Sequence, residues 1–147
     1  SSIDLITPTH FSDSLSEAFK NINKKIPVVW NTNGYETVEN IEKVSTFVDV
    51  FLTDLKYADD KLGKLYSKTN DYFSQTLPAI KTMCKLKPDI EENGLLKQGV
   101  IIRHLVLFGV ERVDIPFLVA LRKALRKAWR KIDLHLLGSC HGWNFGV

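Results

Sequence analysis

Asp54 and Lys56 stand two residues apart at the end of the apolar run Phe47-Val48-Asp49-Val50-Phe51-Leu52. On an extended strand such neighbours share a face. Either they form an ion pair that locks the strand end, or they offer a carboxylate for a cation or hydroxyl beside an ammonium for a carboxylate. Arg103 lies between Ile102 and His104 in a second apolar run, Val100 to Leu107. A guanidinium there needs a partner, because an unpaired buried charge is costly; Asp54 would serve structurally and an anionic ligand functionally. Asn31-Thr32-Asn33-Gly34 supplies amides, a hydroxyl and a turn glycine, and Gly34 permits close approach by a ligand. His10 and His104 are expected as hydrogen-bonded scaffold.

The elements that must position these residues follow from the apolar pattern. Ile3–Ile6, Ile26–Trp30, Phe47–Leu52 and Val100–Leu107 are short aliphatic runs, expected as strands buried on both faces of a parallel sheet. Helical periods lie between them. Ser14-x-x-Glu17 is a capping box ahead of Leu15, Phe19 and Ile22; Thr37 caps a helix carrying Val38, Ile41 and Val44. A short helix is expected from Asp59-Asp60 to Tyr66, and another over 71–86 that kinks or begins at Pro78. Asn93-Gly94 marks a loop before the last strand. The order β-α-β-α-β-α-α-β predicts right-handed crossovers and an α/β fold. Ligands meet the carboxyl ends of such strands, where Thr7-Pro8-Thr9-His10, Asn31–Tyr35, Thr53–Lys56 and Arg103-His104 all fall.

Length limits the architecture. With 147 residues the chain is shorter than a complete (β/α)₈ barrel, which takes about 200–250, so a barrel here is a partial one with four or five parallel strands. Twenty basic against 17 acidic residues leave a net charge of +3, too little to argue for nucleic acid. The charge is uneven: residues 1–110 carry 13 basic and 14 acidic side chains, and residues 111–147 carry 7 and 3. Residues 114–132 read as a basic amphipathic helix, with Leu118, Leu121, Leu125, Trp129 and Ile132 in one stripe and Arg122, Lys123, Arg126, Lys127, Arg130 and Lys131 opposite. Such a helix covers a barrel or binds a partner or anionic surface. No signal-peptide pattern or membrane-length apolar run occurs, so the cytoplasm is the expected location and a membrane is not an expected partner. Cys84 and Cys140 form neither a disulfide framework nor a metal site by themselves. Open barrel edges would favour homo-oligomers. The start at Ser1-Ser2, with Met83 the lone methionine, is expected of a segment of a longer protein or of initiator removal.

Three motifs carry a resemblance. Asn31-Thr32-Asn33-Gly34, then Val48 to Lys56 with its D-x-x-x-x-D-x-K pattern, then Ile101-Ile102-Arg103-His104-Leu105-Val106-Leu107 resemble, in this order, the radical S-adenosylmethionine superfamily. The branch is that of enzymes similar to pyruvate formate-lyase activating enzyme. Ile3 to Phe11 is similar to a strand-end motif of the same group, and the likeness covers residues 3–107, nearly three quarters of the chain. It implies S-adenosylmethionine and a [4Fe-4S] cluster in the full-length family, reductive cleavage to a 5′-deoxyadenosyl radical, and a glycyl radical enzyme as protein substrate. It implies cofactor contacts at Lys56, Arg103, Asn33 and His10, and a monovalent cation at Asn31, Thr32 and Asp54.

The chain also departs from the pattern. The C-x-x-x-C-x-x-C cluster loop and the Gly-Gly strand are absent, so no iron–sulfur ligands are expected here and the chain corresponds to a C-terminal portion, inactive alone. Asn31 replaces the family's aspartate, and Leu107-Phe108-Gly109 stands where the family has proline before glycine. The expected organisation is a partial barrel over 1–110 and a basic helix with divergent tail over 111–147. A non-catalytic interaction module acting through helix 114–132 is the alternative.

Overall fold

The computed structural model describes residues 1–106, 116–117, 119–120 and 132–136, with Val106 and 132–136 as backbone alone. Strands β1 (Ile3–Ile6), β2 (Val28–Thr32), β3 (Val50–Asp54), β4 (Ile90–Glu92), β5 (Leu95–Val106) and β6 (Ile132–Leu136) form one sheet. Between them lie α1 (Ser12–Lys20), α2 (Val38–Val44), α3 (Asp60–Ser67) and α4 (Tyr72–Leu86). Among the described residues, five strands run parallel in the order β1-β2-β3-β5-β6, and β4 pairs antiparallel, as a hairpin with β5. The fold is therefore α/β with a mostly parallel sheet. Parallel neighbours follow one another in sequence order, so the sheet has no point at which the winding reverses.

Alternation along each strand separates two faces. Ile3, Leu5, Val28, Trp30, Phe51, Val100 and Ile102 meet Leu15 and Phe19 of α1, Ile41 and Val44 of α2, and Leu77, Ala79, Ile80, Met83 and Cys84 of α4 in one core. Phe19 stacks on Phe47 at 4.6 Å, closing α1 against the α2–β3 connection. Phe117 joins the edge of this core against Phe73 and His104. On the other face Val29, Leu52 and Ile101 are only half-buried. Burial is thus deepest on the helix-packed side, while the other side mixes buried Val50 with these half-buried residues.

Element ends differ from expectation for identifiable reasons. A 3₁₀ turn, Thr9–Phe11, feeds directly into α1, so the helix starts at Ser12 and Ser14 caps nothing. Ile22 lies beyond the end of α1 and is exposed. Thr37 and Asp59 do cap, each accepting from the backbone N–H three residues on. Pro78 sits inside α4, which begins at Tyr72 because the Asp60 carboxylate accepts the Phe73 and Ser74 N–H groups that open the helix. Strand β2 extends through Asn31 and Thr32, which pair with Leu52 and Thr53 and so are strand and not turn. β6, expected as the end of the basic helix and the tail, pairs with β5 and carries the sheet past residue 110. The basic face expected over 114–132 lies outside the described residues, as does Cys140.

Candidate functional site at the strand carboxyl ends

Register fixes what meets at the rim. Asn31 pairs with Leu52, and Asp54 pairs with Arg103, so Asn31, Asp54 and Arg103 project from three adjacent strands on the sheet face opposite the core. Arg103 Nε donates to Asp54 Oδ1 at 2.6 Å, and its Nη2 donates to Asn31 Oδ1 at 2.9 Å. Asp133 of β6 stands opposite Arg103 in register. Lys56, one residue past the strand and the intervening Leu55, brings Nζ to 4.0 Å from Asp54 Oδ2. Exposure grades outward: the side chains of Asp54, Arg103 and Lys56 are 19%, 28% and 36% exposed. An anion reaching the rim from solvent therefore meets the ammonium first.

The three residues expected to hold a monovalent cation, Asn31, Thr32 and Asp54, divide between two faces of the sheet. Asn31 and Asp54 do converge, and both turn an oxygen to the same guanidinium. Thr32 points to the opposite face, where its hydroxyl donates to Glu36 Oε1 at 2.8 Å. Asn33 is exposed at the rim and its Oδ1 accepts the Tyr35 N–H at 3.0 Å. His10 is exposed on the 3₁₀ turn beside Phe11, apart from the Arg103 network. His104 is scaffold, as expected: it is buried and its Nδ1 bonds the Leu55 carbonyl. Among the described residues no group of three or more His, Cys, Asp and Glu side chains is placed to hold a metal.

Gly34 is required by the chain's own packing. Its φ is +85°, and a β-carbon there would lie 1.9 Å from the Asp54 carbonyl oxygen. The close approach is that of strand β3, and it brings the β2 turn against the end of β3. Tyr72 fastens the same junction. Its hydroxyl donates to the Asn33 carbonyl at 2.8 Å and accepts from the Lys56 N–H at 3.1 Å. Burial pushes this phenol above its ordinary value, so it stays protonated and able to donate. Tyr35 stacks over Tyr72 at 6.3 Å and donates to Asp71 at 2.9 Å, a bond that raises the Tyr35 phenol.

Beneath the rim, Glu36 is 1% exposed. Its Oε1 accepts from Thr9, Trp30 and Thr32 at 2.7, 3.1 and 2.8 Å, and its Oε2 accepts from Asn40 at 2.8 Å. Four donors from the first loop, β2 and α2 satisfy one buried carboxylate. Sequence reasoning passed over Glu36 and Tyr72. The position of Glu36, an acid just before a helix, reads as a surface charge, and the partners of Tyr72 lie up to 39 residues away in sequence.

No family profile matches the chain, and no solved structure matches it. One curated relative does. The chain is 37% identical over 102 residues to an uncharacterised protein of Methanocaldococcus jannaschii. The likeness covers 68% of this chain and 26% of that protein. The chain thus spans about a quarter of the length of the relative it matches.

Proposed function

We propose that this chain is a portion of a radical S-adenosylmethionine protein of the glycyl-radical-activating type, and that its sheet is part of a (β/α) barrel. The observation that carries the reading is the convergence of Asn31, Asp54, Lys56 and Arg103 at one rim of a parallel sheet wound in one direction. These are the residues whose order resembles that family. A barrel is the closed form of such a sheet, since right-handed crossovers between successive neighbours place every helix on one face. The half-buried face with Val29, Leu52 and Ile101 would then be barrel interior. The greater length of the archaeal relative suits a larger whole. The cytoplasm is the proposed location; among the described residues no helix is long and apolar enough to cross a membrane.

Two implied groups fit differently. The amino-acid end of S-adenosylmethionine carries a carboxylate, which suits the half-exposed Lys56 ammonium and the outer edge of the Arg103 guanidinium. Asp54 would then steady both cations and face the ligand's positive charge. The [4Fe-4S] cluster does not fit the described residues. Cys84 is buried in α4, and burial pushes its thiol up to about 12, which disfavours the thiolate a cluster needs. The reaction itself is therefore assigned to the larger protein, and the role of this portion is to hold the cofactor's charged end and to help seat a protein substrate.

Calorimetric titration with S-adenosylmethionine tests the reading. Binding weakened about tenfold by Lys56→Ala, the loss of one charge-assisted contact, is the expected result. No binding, or binding indifferent to both Lys56→Ala and Arg103→Gln, would overturn it. Anaerobic iron–sulfide reconstitution should leave the chain without a cluster; roughly four irons per chain would refute that part.

A further inference from the structure

At the opposite, amino-terminal end of the sheet lies a shallow, open cavity of about 270 Å³ lined by Lys24, Lys25, Ile26, Pro27, Asp49 and Lys97. It is formed where the α1–β2 connection passes beneath the start of β3 and β5. Lys24 is committed: its ammonium pairs with Asp49 and donates to the Phe47 carbonyl at 2.8 Å. Asp49 is committed as well, since the same carboxylate oxygen accepts the Val28 N–H at 2.8 Å. A fourth lysine, Lys87 at the end of α4, stands close enough to feel both charges. Burial lowers its pKa first, the attraction of Asp49 opposes this, and the repulsion of Lys24 adds to the lowering.

The balance of charge is what points to a ligand. No ion pair to Lys25, Lys87 or Lys97 is formed among the described residues. Three lysines line the cavity beside a single carboxylate, Asp49, which Lys24 already engages. Crowded cations beside one engaged anion create a positive potential in a concave surface with apolar walls, Ile26 and Pro27, where field lines concentrate. A scaffold whose function lies at the other rim gains nothing from like charges gathered here.

We infer that this cavity is an anion-binding site for a phosphate group, taken either as the free ion or as a phosphate monoester. Lys25 and Lys97 supply the charge-assisted contacts, Lys24 is held in place by Asp49, and the remaining volume accommodates the esterified group. The site is independent of the carboxyl-end rim and of the function proposed for it.

Inorganic phosphate, adenosine monophosphate and adenosine are titrated into the chain at constant ionic strength, with sodium chloride as the balancing salt, and followed by calorimetry and thermal shift. Both phosphates should bind and stabilise, and adenosine should not. Tighter binding of the monophosphate than of inorganic phosphate identifies a monoester; equal binding identifies the free ion. The double variant Lys25→Glu/Lys97→Glu should weaken phosphate binding by about tenfold or more. Lys61→Glu, a charge change on the exposed face of α3, should leave it within about twofold, the size expected of a remote, screened charge. If the double variant fails to fold, Lys25→Gln and Lys97→Gln are measured singly, each expected to weaken binding severalfold. Absence of binding above the chloride control, or equal binding by wild type and variants, overturns the inference.

Discussion

Replacing Arg103 by methionine keeps most of its bulk on β5 and removes the guanidinium that ties three strands. The size of the effect follows from burial. A solvent-exposed pair contributes about 0.2–1 kcal/mol, whereas breaking a fully buried one costs about 3–5 kcal/mol. With Arg103 at 28% and Asp54 at 19% side-chain exposure, and with screening partly effective, the loss should be about 1.5–3 kcal/mol. Lys56, 4.0 Å from the other carboxylate oxygen, softens the loss without replacing the bridge, because an ammonium lacks the guanidinium's fork. In a domain of this size about 2 kcal/mol lowers the melting temperature by roughly 4–8 °C. Arg103→Lys should recover less than half, since an ammonium lacks the fork that serves Asp54 and Asn31 together. Urea unfolding of wild type, Arg103→Met, Asp54→Asn and the double variant gives the coupling directly, expected at about 1–2 kcal/mol. Additivity within roughly 0.3 kcal/mol would show that the bridge carries no energy and that the strand ends are held by something else.

The other predictions concern the rim's supports and the core. Gly34→Ala should cost about 4 kcal/mol or more, because a β-carbon meets the Asp54 backbone oxygen at 1.9 Å and the positive φ adds strain. Gly94→Ala, also at positive φ but with nothing within 4 Å, should cost only about 1–2 kcal/mol; equal losses in chemical denaturation would contradict the close approach. Asp60 accepts from Ser74 Oγ and from the Phe73 and Ser74 N–H groups, the side-chain bond contributing most to a lowered pKa. A lowered carboxylate stabilises the fold above its unfolded pKa, about 3.9, and that contribution is lost as pH falls through the folded value. Asp60→Asn should therefore destabilise at pH 7 and progressively less as pH falls below the unfolded carboxylate's range, as thermal melts across pH would reveal. Cys84, with its thiol raised to about 12 by burial and by Asp89, should resist maleimide at pH 8 in the folded chain and react at once in denaturant. Fast native labelling of a Cys140→Ser chain would show that α4 is not packed as described.

Much of the fold was legible because it rests on local pattern. Apolar runs located β1, β2, β3 and β5, and Thr37 and Asp59 marked two helix starts with the residue types that cap. What escaped depends on pairing partners far along the chain. Asn31 and Thr32 resemble a turn until β3 offers them a ladder. β6 alternates as a strand should, Ile132-Asp133-Leu134-His135-Leu136, but follows a basic helical period that absorbs its first residue. The rim residues Asp54, Lys56 and Arg103 were legible as chemistry because charge within an apolar strand is conspicuous. Glu36 was not, since nothing in its neighbourhood of sequence reveals that Thr9 and Trp30 donate to it.

The two polar networks are held apart by the alternation of one strand. Asn31 and Thr32 are adjacent, so β2 must send one to each face. Asn31 goes to the side where Arg103 and Asp54 meet; Thr32 goes to the core side, where Glu36 collects it with Thr9, Trp30 and Asn40. A slip of one residue would place Asn31 in the core beside a carboxylate and leave Arg103 with one partner fewer. It would also bring Trp30, fully buried here, to the half-exposed face. Both errors are costly for the same reason, that a polar group moved from its partners into an apolar setting loses its hydrogen bonds. The register that assembles the rim is therefore enforced from beneath by Glu36. Glu36 does this through Thr9, Trp30, Thr32 and Asn40, without a bond to Asn31, Asp54, Lys56 or Arg103. Its four bonds fix the entry of the first loop, the phase of β2 and the start of α2 together, and with them the position from which Asn31 reaches the guanidinium.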